Sequence, residues 1–244
     1  MQTCGPYSLK PGGAPNGNKE ALTMTRTLAL LHTTPVTVTS MKELAVKLLP
    51  GVRVINILDD SLLPDVITAG GMTPKVEARM KVYVEQAAAA GAGAVLCCCS
   101  SVGEAVERIG ATSAIPVLRI DEPMAAAAVR TGERVGVIAT VGTTLGPTAD
   151  LITRKAAEAG RKVLVEAVLV EGAYAALSAG RADEHDRLVL AALEALLERV
   201  DVVVLAQGSM ARLLANLAQA PRVPVLTSPG LGLTAAGELL TKAE

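Results

Sequence analysis

Two stretches, GAVLCCCSS at 93–101 and DVVVLAQGS at 201–209, repeat one pattern that decides the fold. Each is an apolar run that ends at a small polar turn, as a buried strand does at the edge of a sheet. The first is followed by IPVL at 115–118 and the second by VPVL at 223–226, with the same spacing. A constant offset of 108 residues therefore superimposes two half-chains, and it aligns a cysteine in one with a glutamine in the other.

Short apolar runs alternate with longer amphipathic segments along the chain after residue 25. Strands are predicted at 27–31, 52–58, 94–98, 116–120, 134–139, 162–168, 202–206 and 223–227. Helices are predicted at 40–49, 74–90, 103–109, 146–159, 183–199, 210–217 and 233–243. Continuous apolar strands that alternate with helices are typical of parallel sheets covered on both faces. The sequence therefore predicts an α/β protein with two pseudo-symmetric, doubly wound parallel-sheet lobes and an active site between them.

The repeat also predicts how the chain is divided. Residues 24–130 form the first lobe, 131–230 form the second, and the C-terminal helix within 231–244 packs back to complete the first. Residues 1–23 are rich in Gly, Pro and Asn and have no apolar core, which is not the pattern of a secretory signal. We expect them to be a flexible N-terminal extension.

Composition excludes several classes of protein. The chain has 244 residues, 50% of them apolar, and a formal net charge of -1, so nothing indicates a nucleic-acid partner. No apolar run approaches the ~20 residues of a membrane span, so no membrane partner is expected. Three of the four cysteines are consecutive at 97–99, which fits neither a disulfide framework nor the C-x-x-C spacing of a zinc site. We therefore expect a cytoplasmic protein without a metal.

The most informative candidate site residue is Cys99. Ligands of parallel sheets bind beyond the carboxyl ends of the strands, and Cys99 ends the third predicted strand. Hydroxyls and the N–H groups of a helix start follow it, which suits a stabilised thiolate or a bound carboxylate. The alternative is that the cysteines are small buried hydrophobes, and we favour that for Cys97 and Cys98.

Hydroxyl-rich turns at the other strand ends predict an anion pocket built from neutral donors. The candidate substrate-binding residues are Thr33, Thr34, Ser100, Ser101, Thr140, Thr143, Thr144, Gly208 and Ser209. Ordinary helix capping by Ser and Thr is the alternative for any one of the hydroxyls. Together they favour a small-molecule carboxylate as the substrate.

The histidines and the glycine-rich stretches carry weaker signals. His32 ends the first strand and is either a general base or a structural histidine, whereas His185 is predicted to lie on a solvated surface. Gly91-Ala92-Gly93 precedes its strand, although a dinucleotide-binding fingerprint must follow one. A nucleotide-dependent α/β enzyme is therefore only a distant alternative.

Four motifs resemble the aspartate/glutamate racemase superfamily, which includes hydantoin racemases, maleate isomerases and arylmalonate decarboxylases. They are CSSVGE at 99–104, VGVIAT with the following TT at 135–144, GAYAALSAGRADEHDRLVLAAL at 172–193 and VVVLAQGSM at 202–210. The resemblance covers about residues 25–240. It implies the two-lobed fold, catalysis without pyridoxal phosphate or another cofactor, a small carboxylate or amino-acid derivative as substrate, and a homodimer or higher homo-oligomer.

The resemblance also implies roles for two residues and exposes a departure. Racemases of this family place two cysteines across the α-carbon, so that one thiolate removes a proton and the opposite thiol returns another. Cys99 matches the first cysteine, but the second position falls on Gln207, whose amide cannot transfer a proton. We therefore expect an isomerase or racemase-type enzyme in which Cys99 is the only catalytic thiol and Gln207 faces it. The alternatives are a one-cysteine decarboxylase or lyase and a non-catalytic carboxylate-binding protein.

Overall fold

The computed structural model describes residues 26–217 and 219–242, so the predicted extension at 1–23 lies outside the described residues. The strands are β1 (Thr27–His32), β2 (Arg53–Leu58), β3 (Ala94–Cys97), β4 (Val117–Arg119), β5 (Arg134–Ala139), β6 (Leu164–Leu169), β7 (Val202–Leu205) and β8 (Val225–Thr227). The α-helices are α1 (Val38–Leu48), α2 (Leu62–Ala69), α3 (Pro74–Ala89), α4 (Gly103–Gly110), α5 (Glu122–Thr131), α6 (Gly142–Glu158), α7 (Ala173–Ser178), α8 (Ala182–Leu197) and α9 (Ser228–Lys242). No helix among these is long and apolar enough to cross a membrane.

The strands form two parallel sheets of four strands with the same topology. The first sheet has the order β2-β1-β3-β4 and the second has the order β6-β5-β7-β8. The central strands β1, β3, β5 and β7 are almost wholly buried, because parallel strands are covered by helices on both faces. The predicted α/β class with two pseudo-symmetric, doubly wound lobes is confirmed.

Two of the helices cross between the sheets. Helix α5 follows the last strand of the first sheet, yet Met124 and Ala128 on it pack in the core of the second sheet with Val135 and Val204. Helix α9 follows the last strand of the second sheet, and its buried side chains pack in the core of the first sheet. Each sheet is therefore completed by a helix that the other half of the chain supplies.

The predicted strands match those observed, whereas several predicted helices need correction. Helices α2, α5 and α7 were not predicted, and the expected helix at 210–217 is a 3-10 helix at Gly208–Asn216. Helix α6 begins at Gly142 rather than at residue 146, because Pro147 lies inside the helix instead of opening it. Helix α9 likewise begins at Ser228 rather than at residue 233. The early starts bring the first turns of α6 and α9 to the carboxyl ends of the second sheet.

Candidate active site

A narrow cleft lies where the carboxyl ends of the two sheets face each other. Its volume is about 50 Å³. It is lined by Thr33, Thr34, Thr37, Leu63, Cys98, Cys99, Ser100, Ser101, Thr144, Gln207, Gly208 and Ser209. Among the described residues, no carboxylate, imidazole, ammonium or guanidinium group lines the cleft, so its chemistry rests on thiols, hydroxyls, one amide and backbone groups.

Cys99 stands on the first-lobe wall, directly before a 3-10 helix at Ser100–Val102. Burial raises the pKa of the Cys99 thiol, although the hydroxyl of Thr33 and the N–H of Ser101 favour the thiolate. The Thr33 hydroxyl is buried and has no hydrogen-bond partner of ordinary geometry in the described residues. The Thr33 hydroxyl therefore lies close enough to the sulfur to favour the thiolate, and it can still form a hydrogen bond with a ligand in the cleft.

The neighbouring cysteines point to opposite faces of the first sheet. Cys97 packs in the core on the face that Cys99 also touches, and Cys98 packs in the core on the other face. Burial raises the pKa of both thiols. Cys97 is a core residue, whereas Cys98 also reaches the edge of the cleft.

Gln207 stands on the second-lobe wall, in the place that corresponds to Cys99. Its Oε1 accepts hydrogen bonds from the N–H of Thr140 at 2.7 Å and from the Thr140 hydroxyl at 3.0 Å. A backbone N–H can only donate, so the atom that faces Thr140 must be the carbonyl oxygen. The amide NH₂ of Gln207 is therefore the end that remains for the cleft, where it can donate but cannot accept a proton.

Two hydrogen bonds join the walls beside the cleft. The Ser100 hydroxyl donates to the carbonyl oxygen of Ala206 at 2.9 Å, and the hydroxyls of Ser101 and Thr144 lie 2.6 Å apart. All three hydroxyls are buried. These bonds fix the distance between the strand ends of the two lobes.

The structure brings together most of the predicted site residues but separates two of them. Cys99, Gln207, Thr33, Thr34, Ser100, Ser101, Thr144, Gly208 and Ser209 line the cleft. Thr140 lies behind Gln207 and supports it. Thr143 lines an adjacent cavity of about 210 Å³ together with Glu104 and Gly142.

Three residues that line the cleft were missed. Thr37 ends a short 3-10 helix at Pro35–Thr37, directly before α1, which begins at Val38 and not at residue 40. Leu63 belongs to α2, which was not predicted. Cys98 was assigned to the core alone. The sequence DDSLLPDV at 59–66 offered a signal for α2, namely a serine directly before an apolar run.

His32 is a structural residue. Its ring is fully buried, with Nδ1 3.2 Å from Oγ1 of Thr37 and Nε2 3.0 Å from Oδ1 of Asn56. Burial lowers the pKa of His32, which keeps the imidazole neutral. Both ring nitrogens therefore have hydrogen-bond partners outside the cleft.

The prediction that His185 lies on a solvated surface was wrong. The residue is 1% exposed, and its Nδ1 lies 2.7 Å from Oδ1 of Asp186. Asp186 in turn forms an ion pair with Arg212. The acidic residues beside His185 in the sequence indicated a solvent-exposed position, but the imidazole faces inward from the first turn of α8.

The site is thus a cleft between two pseudo-symmetric parallel-sheet lobes, with a cysteine at a strand end. The family described as Asp/Glu/Hydantoin racemase matches residues 31–236. The chain belongs to the Asp/Glu/Hydantoin racemase family.

Solved structures with the same fold have low sequence identity to the chain. A glutamate racemase from Bacillus anthracis has a TM-score of 0.72 at 16% identity, covering 89% of this chain and 82% of its own. An allantoin racemase from Klebsiella pneumoniae has a TM-score of 0.68 at 16% identity, covering 89% of both chains. An aspartate racemase from Picrophilus torridus has a TM-score of 0.65 at 10% identity, covering 87% and 94%. None of the curated proteins compared with the chain matches it.

Proposed function

We propose that the protein is a cofactor-independent isomerase of the racemase type that acts on a small carboxylate or amino-acid derivative. Cys99 is its single proton-transferring group, and Gln207 is a hydrogen-bond donor on the opposite wall. The observation that carries the proposal is the fixed orientation of the Gln207 amide, whose oxygen is held by Thr140. That wall offers the reacting carbon a donor and no base.

In the proposed reaction, the Cys99 thiolate removes the α-proton, and the electron pair of the C–H bond moves into the substrate carboxylate. The resulting planar enediolate carries a second negative charge on its oxygens. Inversion with one thiol requires the enediolate to turn its other face towards Cys99. The same thiol, now protonated, then returns its proton to that face of the α-carbon, which restores the thiolate. Donors that bind the enediolate more strongly than the carboxylate accelerate this step.

The donors for that charge are neutral. Gly208 and Ser209 begin a 3-10 helix, and the first N–H groups of a helix have no partner within it. The Gln207 amide and the unpartnered Thr33 hydroxyl lie on the same cleft. Hydrogen bonds from neutral donors can hold the carboxylate and become stronger as negative charge builds up on its oxygens. A guanidinium would also neutralise the charge of the bound substrate and so stabilise the ground state.

The size of the cleft supports a small substrate. A volume of about 50 Å³ is far below the ~300–1,000 Å³ of pockets for drug-sized ligands. A nucleotide does not fit such a space. We therefore favour the proposed function over that of a nucleotide-dependent enzyme.

A one-cysteine decarboxylase is the second candidate, and one observation favours it. Because burial raises the pKa of Cys99, the protonated thiol predominates near neutral pH. In decarboxylation the C–C bond to a second carboxylate breaks, CO₂ leaves, and the electron pair forms an enediolate that takes the proton of the thiol. That reaction needs one proton donor and no base.

The proposal is tested by following deuterium in the presence of candidate carboxylates in D₂O. With one thiol, deuterium enters recovered substrate and product alike, or the original hydrogen is carried into the product. With two bases, deuterium enters the product only, because each monoprotic thiol serves one face. A two-base pattern in the wild-type protein, or no exchange with any ligand that binds, contradicts the proposal.

Two variants sharpen this experiment. Gln207→Cys adds a second thiol across the cleft and should convert the labelling to the two-base pattern. Cys99→Ala should abolish exchange. Cys97→Ala is the matched control, because Cys97 is buried in the core and does not line the cleft.

A further inference from the structure

A buried pair of charges lies beneath the turn that carries Cys99. Arg119 ends β4, where it is the register partner of Cys97 in β3. The side chains of Arg119 and Asp121 are 1% and 0% exposed. Charges taken this far from water are costly unless they are paired and hydrogen-bonded.

The pairing is complete and geometrically specific. Nε of Arg119 donates to Oδ1 of Asp121 at 2.8 Å, and Nη2 donates to Oδ2 at 2.8 Å. Asp121 occupies the position before α5 at which a carboxylate usually caps the helix, but it makes no capping bond. Both of its oxygens are instead directed at Arg119.

The guanidinium also supports the start of α4. A Cβ atom placed on Gly103 would overlap the guanidinium of Arg119, so the two groups are in direct contact and a side chain at position 103 would displace the guanidinium. Gly103 opens α4 directly after the 3-10 helix that follows Cys99. Arg119 therefore fills the space under the segment that presents the thiol and the N–H of Ser101.

The same arginine reaches the second lobe through one carboxylate. Nη1 of Arg119 donates to Oε1 of Glu107 at 2.5 Å, and Nη2 of Arg154 on α6 donates to that oxygen at 2.8 Å. Helix α6 also carries Thr144, whose hydroxyl meets that of Ser101 at the cleft. The walls are thus joined in front by hydroxyls and behind by charges.

We propose that Arg119 is a positioning residue for Cys99, acting through Gly103 and through neutralisation of Asp121. The charge of Asp121 contributes to raising the pKa of the Cys99 thiol, so the pair lies within electrostatic reach of the sulfur. The pair does not touch the cleft itself. A buried ion pair is weak evidence for stability, so we assign this pair a role in the geometry of the turn that carries the thiol.

The test measures alkylation of Cys99 by iodoacetamide as a function of pH, with the modified cysteine assigned by fragment-ion mass spectrometry. Arg119→Met leaves Asp121 unneutralised and removes the contact with Gly103, so the alkylation rate at pH 8 should fall about tenfold, equivalent to about one pH unit. Arg119→Lys retains a positive charge but not the two-pronged contact with Asp121, so the alkylation rate should fall less than in Arg119→Met. Should Arg119→Met fail to fold, Arg119→Lys carries the test.

Arg108→Met is the matched control. Arg108 lies on α4, the helix that begins at Gly103, and it pairs with Glu77. Its side chain is 51% exposed and does not line the cleft. In the Arg108→Met variant, the rate at which iodoacetamide alkylates Cys99 should equal that of the wild type at each pH. Arg119 variants whose pH profiles superimpose on the wild type overturn the proposal, including when their melting temperature is lower. The proposal rests on Cys99 being the reacting thiol, but the measurement needs no substrate, so it can succeed or fail independently of the proposed reaction.

Discussion

The turns that follow β3 and β7 begin with the same backbone conformation but have different chemistry. Cys99 and Gln207 both precede a 3-10 helix in extended conformation, with φ/ψ of −139°/119° and −111°/129°. One turn presents a thiol, and the other presents an amide locked by Thr140. The pseudo-symmetry of the fold therefore preserves where a group stands without preserving what it can do.

The largest effect is expected from removing the sulfur. Cys99→Ala should lower turnover by up to about 10⁴-fold, the upper end of the ~10²–10⁴-fold effect of a lost acid–base group. Activity with the assigned substrate, measured by chiral chromatography or CO₂ release, checks this. Cys97→Ala should retain activity. A Cys99→Ala enzyme within tenfold of the wild type would mean that the reacting group lies elsewhere.

Replacing the amide should cost less. Gln207→Leu removes the donor to the enediolate and leaves the N–H of Thr140 without its acceptor, so turnover should fall about 10²-fold. The binding of a competitive carboxylate should weaken less than turnover. Gln86→Leu is the control, because Gln86 is an exposed residue of α3. Equal losses in binding and turnover would assign Gln207 to ground-state binding alone.

The pH dependence separates the two proposed reactions. Because burial raises the pKa of Cys99, the thiolate is scarce at neutral pH. The rate of proton abstraction should therefore rise about tenfold per pH unit, and this rise should continue beyond pH ~8.5, the pKa of a free cysteine. Decarboxylation uses the protonated thiol, so its rate should be flat near neutrality and fall above that range. The measurement is kcat/KM from pH 6 to 10. A thiolate plateau below pH 7 would contradict both.

The smallest effect concerns the edge strands, where the lobes also differ. Asp59 follows β2, and the corresponding residue after β6 is the apolar Val170. Although burial opposes it, hydrogen bonds from Ser61, Tyr83 and Arg79 lower the pKa of Asp59 to about 2. A lowered carboxylate pKa stabilises the fold above pH ~4, and this stabilisation is lost as the pH falls towards 2.

Asp59→Asn should therefore destabilise the protein by about 1–2 kcal/mol at pH 7, allowing for solvent screening near Arg79. The difference from the wild type should shrink between pH 4 and pH 2. Urea unfolding at several pH values measures it. Asp65→Asn removes a more exposed partner of the same arginine and should change stability less. An undiminished difference at pH 2 would rule out the charge of Asp59 as its cause.

The strands were predictable because buried parallel strands are continuous apolar runs with clear ends. The helices were harder, since four of the ten residues of α5 are consecutive alanines, which mark no distinct apolar face, and α2 contains Pro64. The meeting of Cys99 and Gln207 followed from the repeat alone. The buried Arg119–Asp121 pair was missed, although an arginine that ends an apolar strand two residues before an aspartate was a usable signal.

The helices that cross between the sheets bear on how such a molecule can be divided. A half-length chain cut after β4 would lack α9, and its sheet would expose the apolar face that Leu233, Ala236 and Leu240 cover. Two separate halves could bury these faces by exchanging their terminal helices, so a contact that forms within one chain would then form between two molecules.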